Sequence, residues 1–170
     1  MKGLTVWHPW AWAIAADLKP VENRTRATRH RGELAIHSGL HWDEIGATDQ
    51  RVIDAVSQDR TPGGSYDPPL KVRIDTATGR IVELLPDGRR FVLGAIIAVA
   101  ELVDVVRDSS STWAEPGQCH WLLANVRPLG EPVPCRGWQN VWDVPLEVEA
   151  LVRAQLRQRE EGLVNQEATS

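Results

Sequence analysis

Apolar and polar positions follow different periods along the first part of the chain, and each period predicts a different element. Alternating apolar and polar residues at 32–37 predict a strand, and the short stretch at 4–7 predicts another. The Ala-rich run at 10–18 predicts a helix, because Pro9 suits a first helical turn and Pro20 stops the helix.

The rest of the chain reads mainly as strands. Residues 21–24 continue no helical period and are predicted to be extended, whereas 42–56 carry apolar side chains at helical spacing and predict an amphipathic helix. The nearly continuous apolar run at 91–106 predicts a long central strand. Shorter segments at 120–126 and 141–144 predict closing strands.

We expect one domain over residues 1–145, interrupted by an insertion at about 57–90. A Pro- and Gly-rich loop opens the insertion, and a turn with glycine follows between predicted strands at 71–75 and 80–84. The insertion is therefore not expected to belong to the core of the fold.

The C-terminal part predicts a helix at 146–160, followed by a disordered tail at 161–170. Few helices lie between the predicted strands. The order of elements therefore favours an α+β fold with a mostly antiparallel sheet that is curved or closed.

Composition narrows the class of protein. The 170 residues carry a net charge of −4, which argues against non-specific wrapping of duplex nucleic acid. No apolar run reaches the roughly 20 residues needed to cross a bilayer, and no signal-peptide pattern is present. Cys119 and Cys135 form no CxxC pair, so we expect reduced thiols and a cytoplasmic location.

One segment departs from this acidic average. Residues 19–31 hold five basic side chains and a single carboxylate, Glu22, and three of the eight tryptophans lie shortly before them. A cationic segment beside flat aromatic rings is typical of a site for an anionic ligand that has a flat ring. A nucleotide fits this description.

The residues of this segment also resemble a known family. Lys19-Pro20-Val21-Glu22-Asn23-Arg24, followed by Arg-Gly-Glu-Leu-Ala-Ile-His at 31–37, resembles the signature of the ASCH domain. Further blocks resemble other parts of the family in the same order: 7–14, 94–104, 121–129 and 137–145. The resemblance covers about residues 4–145 without the insertion.

This resemblance implies a PUA-like, mostly antiparallel β-barrel with flanking helices, and RNA or nucleotide binding in a cleft beside the barrel. One branch of the family hydrolyses N4-acetylcytidine with a lysine, a threonine three residues later and a glutamate. Another branch is described as a ribonuclease on single-stranded RNA. Lys19 matches the lysine, Glu22 stands where the threonine would be, and Glu115 falls near the glutamate. These three are the catalytic candidates. The family's glycine two residues before the lysine is Asp17 here.

The candidate ligand-binding residues carry a charge, an aromatic ring or an imidazole, and they are Trp7, Trp10, Lys19, Glu22, Arg24, Arg31, His37 and Trp138. Each also has a structural interpretation. Lys19 suits a solvated helix end, and Glu22 with Arg24 suits an ion pair at the mouth of a barrel, since residues two apart on a strand share a face.

The other tryptophans and arginines also have two interpretations. Arg26 and Arg29 could follow a phosphate backbone together with Arg31, or belong to a solvated loop. Most of the tryptophans are expected in the core, with Trp12, Trp121 and Trp142 foremost.

The sequence is compatible with three functions. The first is binding of RNA or a nucleotide, the second is hydrolysis in the same cleft, and the third is a protein interaction through residues 57–90. The histidines show no metal-ligand spacing, so we expect no metal, and we expect no cofactor. The sequence leaves the oligomeric state open.

Overall fold

The computed structural model describes residues 1–58, 72–75, 80–84 and 90–167. Its strands are β1 (Lys2–His8), β2 (Val21–Arg24), β3 (Gly32–Trp42), β4 (Val72–Asp75), β5 (Arg80–Leu84), β6 (Arg90–Val92), β7 (Ala95–Val106), β8 (Cys119–Pro134) and β9 (Val141–Asp143). Its helices are α1 (Trp10–Ala15), α2 (Gln50–Gln58) and α3 (Leu146–Glu167), with a 3-10 turn at Gly46–Thr48. The loop and hairpin turn of the predicted insertion lie outside the described residues, and so does most of the segment 57–90 that was expected to form an interaction surface.

Six strands form one sheet in the order β2-β8-β7-β3-β1-β9. β1 and β3 run parallel to each other, and the remaining neighbours are antiparallel. β4, β5 and β6 form a separate three-stranded antiparallel sheet. The predicted α+β class with a mostly antiparallel sheet is therefore confirmed.

The predicted closure of the sheet into a barrel is not found. Among the described residues the large sheet is open, because its edge strands β2 and β9 share no ladder of backbone hydrogen bonds. The two edges still approach each other, since residues that follow β2 and residues at the start of β9 line one groove. From the edge strand β2, Arg24 reaches β1, the neighbour of β9: its Nη2 donates a hydrogen bond of 2.6 Å to the carbonyl oxygen of Thr5. A side-chain bridge takes the place of a closing ladder.

Irregular pairing bends the centre of the sheet. β7 and β8 are the longest strands of the described chain, and their register shifts at three places, each of which increases local bend and twist. The predicted strand at 91–106 is split into β6 and β7 at Gly94, whose φ of +70° is a glycine conformation. The strand predicted at 120–126 extends over the whole of β8.

The helix predicted at 42–56 begins later than expected. Trp42 belongs to β3, where it continues the parallel ladder with β1. The next residue, Asp43, forms a turn, since its Oδ1 accepts a hydrogen bond of 2.8 Å from the backbone N–H of Gly46. α2 then begins at Gln50. The helical spacing of apolar residues at 42–56 therefore covers three elements: the end of β3, a turn and α2.

The core lies on both faces of the sheet. Leu34 and Ile36 of β3 are buried in one cluster together with Ile14 of α1. Ala35, between them, is buried in a second cluster together with Val152 of α3. Alternate residues of a strand point to opposite faces, so α1 and α3 cover opposite sides of β3.

Two of the three tryptophans expected in the core are buried there: Trp121 is 4% exposed and Trp142 is 7% exposed, whereas Trp12 is half-buried. α3 continues to Glu167, so residues 161–167 are helical and not part of a disordered tail as predicted. Residues 168–170 lie outside the described part. None of the described helices combines the length and the apolar character that a membrane span requires.

The buried imidazole of His8 makes stability depend on pH. Burial lowers its pKa to about 4 from an ordinary value of 6.5, although the carbonyl of Val92 acts in the opposite direction. As pH falls below 6.5, the unfolded chain takes up this proton before the folded chain does. His8 therefore costs no stability above pH 6.5, and a loss develops between pH 6.5 and about 4, reaching about 3 kcal/mol.

We expect the change His8→Gln to remove this part of the pH dependence. The free energy of unfolding in urea, measured at pH 7 and at pH 4, should fall by about 3 kcal/mol less in the variant than in the natural chain. An equal fall in both proteins would show that the imidazole is not the responsible group.

Candidate functional site

A tight turn after α1 carries Lys19 into the interior. Asp17 adopts a φ of +57°, and the backbone N–H groups of Leu18 and Lys19 both donate to the carbonyl of Ala13. This is the left-handed conformation that commonly ends a helix, and aspartate tolerates it better than most residues. The side chain of Asp17 is exposed, and its backbone adopts a conformation that glycine provides most readily.

Glu22 lies between two cations: Lys19 in the turn before β2, and Arg24 two residues later on β2 itself. Its Oε2 accepts a hydrogen bond of 3.0 Å from Lys19 Nζ, and its Oε1 lies 3.0 Å from Arg24 Nε. Lys19 also donates to the carbonyl of Val21 and is only 3% exposed. We call Lys19, Glu22 and Arg24 the charged bridge. The predicted pairing of Glu22 with Arg24 on one strand face is observed.

The charged bridge separates two cavities. Lys19 and Glu22 line a cavity of about 380 Å³, which we call the lysine pocket. Arg24 lines a second cavity of about 760 Å³, which we call the tryptophan cleft. The single cleft expected from the sequence is therefore two cavities, one lined by Lys19 and Glu22 and the other by Arg24.

Two tryptophans and several carboxylates surround the lysine pocket. The rings of Trp10 and Trp113 meet edge to face at 6.3 Å between centroids, and Lys19 Nζ lies 5.7 Å from the centroid of Trp10. Asp43 fixes the first ring, because its Oδ2 accepts a hydrogen bond of 2.9 Å from Trp10 Nε1. The pocket is polar, and its aromatic walls are held in place.

Arg51 binds two carboxylates on another wall of the same pocket. It donates to both carboxylate oxygens of Asp49 and, at 2.7 Å, to Oε1 of Glu115. These hydrogen bonds from Arg51 lower the pKa of Asp49. Its guanidinium also lies 5.4 Å from the ring centroid of Trp113. Arg51 therefore orders the wall that carries Glu115.

Asn23 brings Glu115 to the pocket from a distant part of the sequence. Its Nδ2 donates to the carbonyl of Trp113 at 2.8 Å, and its Oδ1 accepts from the N–H of Glu115 at 3.0 Å. The three catalytic candidates, Lys19, Glu22 and Glu115, consequently line one cavity.

The tryptophan cleft has a different chemical character. Trp7 and Trp138 are 51% and 43% exposed, and both line it. Arg136 stacks on Trp138 with its guanidinium carbon 5.5 Å from the ring centroid, and Arg24 contributes a second cation. No carboxylate is among the described residues that line the cleft. The cleft therefore combines exposed aromatic surface with positive charge.

His37 lies in the wall of the tryptophan cleft and is 2% exposed. Its Nε2 is 3.1 Å from the carbonyl of Cys135, and only a protonated Nε2 can donate to that acceptor, so the neutral ring carries its proton there. Burial lowers the pKa of His37, which favours the neutral form. A Cβ on Gly137 would come within 2.4 Å of the ring, so the chain can pass here only as glycine.

The structure divides the predicted site residues into three groups. Trp10, Lys19, Glu22 and Glu115 line the lysine pocket. Trp7, Arg24, His37 and Trp138 line the tryptophan cleft. Arg31 lines neither cavity, because it lies at the other end of β3, where its Nη2 pairs with Asp104 at 2.8 Å.

Sequence reasoning did not select several residues that line these cavities: Asp43, Arg51, Trp113, His41 and Arg136. Arg136 stood one position before Gly137 in a block that resembled the family, and its charge was the available signal. Arg51 and Trp113 had no such signal, since only the folded chain brings them together. Among the described residues, no group of three or more His, Cys, Asp or Glu could hold a metal ion.

We expect the charged bridge to contribute strongly to stability. The change Glu22→Gln should lower the free energy of unfolding by about 3 kcal/mol, because it leaves the ammonium group of Lys19 buried without its counter-charge. The double change Lys19→Met with Glu22→Gln should recover part of this loss. Urea unfolding of the natural chain, the single variant and the double variant measures both effects. A double variant less stable than Glu22→Gln alone would show that the loss does not come from the unpaired ammonium of Lys19.

A comparison with protein-family models finds no match to the chain, and a comparison with curated proteins finds none either.

Proposed function

We propose that this protein binds single-stranded RNA or a nucleotide in the tryptophan cleft, as an ASCH-like protein with a PUA-like fold. The observation that carries the proposal is the lining of the cleft: two exposed tryptophan rings and two arginines, without a carboxylate among the described lining residues. An anionic ligand with flat rings matches this lining on a chain whose overall charge is −4.

The size and aromatic surface of the cleft support a nucleotide-sized ligand. Its volume of about 760 Å³ lies within the usual range of pockets for small ligands. Stacking of one base on an aromatic side chain contributes about 1–3 kcal/mol. Trp7 is braced by His41, whose ring centroid lies 5.2 Å away, and Trp138 is braced by Trp142 at 5.1 Å. Rings that are already held in place lose little freedom when a base stacks on them.

The arginines support recognition of phosphate. Arg24 is anchored on one side by Glu22 and by the carbonyl of Thr5. A guanidinium has five N–H donors in a rigid fork, so an anchored arginine retains donors for an anion. Arg136 makes no ion pair among the described residues, and it lies beside an exposed ring.

The family and location form part of the same proposal. The signature residues lie on the turn after α1 and on β2, and the curled open sheet is compatible with a barrel-like fold. Cys119 and Cys135 are free thiols, which suits a reducing compartment such as the cytoplasm.

We expect Trp138→Ala and Arg136→Ala each to weaken binding of a short single-stranded RNA by about tenfold or more, because each removes a stacking surface or a cation. Tryptophan fluorescence titration with RNA and with a panel of nucleotides measures the dissociation constants of the natural chain and the variants. Arg157→Ala is the matched control for net charge, since Arg157 is exposed on α3 and lines neither cavity. Absence of binding to every RNA and nucleotide by the intact protein would refute the proposal.

A second candidate function, hydrolysis, is supported by the lysine pocket. Lys19, Glu22 and Glu115 line one cavity between two tryptophans, as the catalytic candidates should. In an amidohydrolase, the oxygen of water would add to the acetyl carbon of N4-acetylcytidine. The C–N bond would then break, with one proton of the water passing to N4 and the other to solvent, which releases acetate and cytidine. Two of the three N–H groups of the Lys19 ammonium already donate to Val21 and Glu22. The third N–H would donate to the carbonyl oxygen of the substrate's acetyl group.

If the lysine pocket hydrolyses acylated cytidine, Lys19→Ala should abolish release of acetate, while Arg136→Ala in the other cavity should leave it unchanged. Turnover of N4-acetylcytidine and of labelled single-stranded RNA, followed by chromatography, is the measurement. Activity that persists in Lys19→Ala would exclude the lysine from the reaction. Absence of turnover on both substrates would leave binding as the function.

A further inference from the structure

The open seam of the sheet forms a third cavity that neither candidate function uses. A groove of about 290 Å³ lies between β2 and β9, and Trp121 is part of its lining. Its other lining residues come from the chain that leaves β2, 24–28, and from the start of β9, 140–141. We call this cavity the seam groove.

The seam groove continues the tryptophan cleft. Arg24 and Asn140 line both cavities, so the two spaces meet at these side chains. Asn140 has a φ of +59°, a left-handed turn that leads directly into β9. The bridge from Arg24 to the carbonyl of Thr5 lies at the same junction. A ligand that leaves the cleft past these two residues enters the groove.

The groove is also cationic. Arg26 lies in it next to Arg24, and among the described lining residues there is no carboxylate. The backbone at Arg26 is fixed, since its carbonyl accepts a hydrogen bond of 3.1 Å from Trp121 Nε1. Arg26 is exposed and makes no ion pair with any described residue. Its charge is therefore not neutralised by the part of the protein that the structure describes.

The groove offers backbone hydrogen bonds in addition to charge. β2 uses one edge for its ladder with β8, and β9 uses one edge for its ladder with β1. Their other edges face the seam, and an edge strand presents backbone N–H and C=O groups that no ladder uses. Such groups can bind the hydroxyls and phosphates of a ligand. A mononucleotide that fills the cleft would leave all of these groups unused.

We propose that the ligand is a single-stranded oligonucleotide, with one base in the tryptophan cleft and the adjoining nucleotide in the seam groove against Arg26. This inference rests on the proposed function and specifies its ligand as a chain of nucleotides. An extended peptide could also use a strand edge, but the groove opens into an aromatic, cationic cleft, which favours a phosphodiester chain.

The test compares ligands of increasing length. Tryptophan fluorescence titrations with uridine 5′-monophosphate, a dinucleotide and a tetranucleotide should show an affinity gain of about tenfold or more from the first to the last. Arg26→Ala should remove most of this gain and leave the affinity for the mononucleotide unchanged. Ala27→Trp, which places a large ring in the groove, should likewise remove most of the gain for the tetranucleotide and leave the affinity for the mononucleotide unchanged. Arg157→Ala should change neither affinity.

The possible outcomes separate this inference from the proposed function. If no ligand binds, the proposed function fails. If the mononucleotide and the tetranucleotide bind equally well, or if Arg26→Ala leaves the affinity for the tetranucleotide unchanged, only the seam groove is excluded as a binding site. Equal losses for both ligands in Arg26→Ala would also overturn the inference, because they would indicate a general effect of charge. Competition by an extended acidic peptide, without any effect of ligand length, would favour a peptide in the groove.

Discussion

The charged bridge is the constraint on which the candidate site depends. Glu22 holds Lys19 on one carboxylate oxygen and Arg24 on the other, in a place where solvent barely reaches the lysine. Burial of the Lys19 ammonium without a counter-charge would cost free energy of folding. The turn after α1 must therefore keep Lys19 beside Glu22 of β2. The same contact aims the two cations in different directions, toward two cavities with different linings.

The open sheet explains how a chain of 170 residues provides several adjoining cavities. A closed ladder between β2 and β9 would fill the seam with backbone hydrogen bonds. Here the side chain of Arg24 crosses the gap instead, and space remains on both sides of it. Loops from far along the sequence then form the outer walls. Asn23 and Arg51 hold the loop that carries Glu115, and Gly137 packs closely over His37.

The tryptophans divide according to their surroundings. Trp121 and Trp142 are buried between the sheet and its neighbours, whereas Trp7 and Trp138 keep about half of their surface exposed and line a cavity. Trp10 and Trp113 are half-buried and form the walls of the lysine pocket. The charges that line the two cavities differ in the same way: Glu22, Asp43, Asp49 and Glu115 line the lysine pocket, whereas no described carboxylate lines the tryptophan cleft.

The sequence by itself determined the local elements: the α+β class, the strands with an alternating or continuous apolar pattern, the C-terminal helix, and the cationic motif with its pairing of Glu22 and Arg24. These follow from periodicity and from contacts between residues close in the chain. Only the tertiary structure decided that the sheet stays open, that Trp42 ends a strand, that Arg31 pairs with Asp104 away from the site, and that Arg51 reaches Glu115. Those outcomes depend on which distant residues meet, and the energy of such contacts has no trace in local sequence pattern.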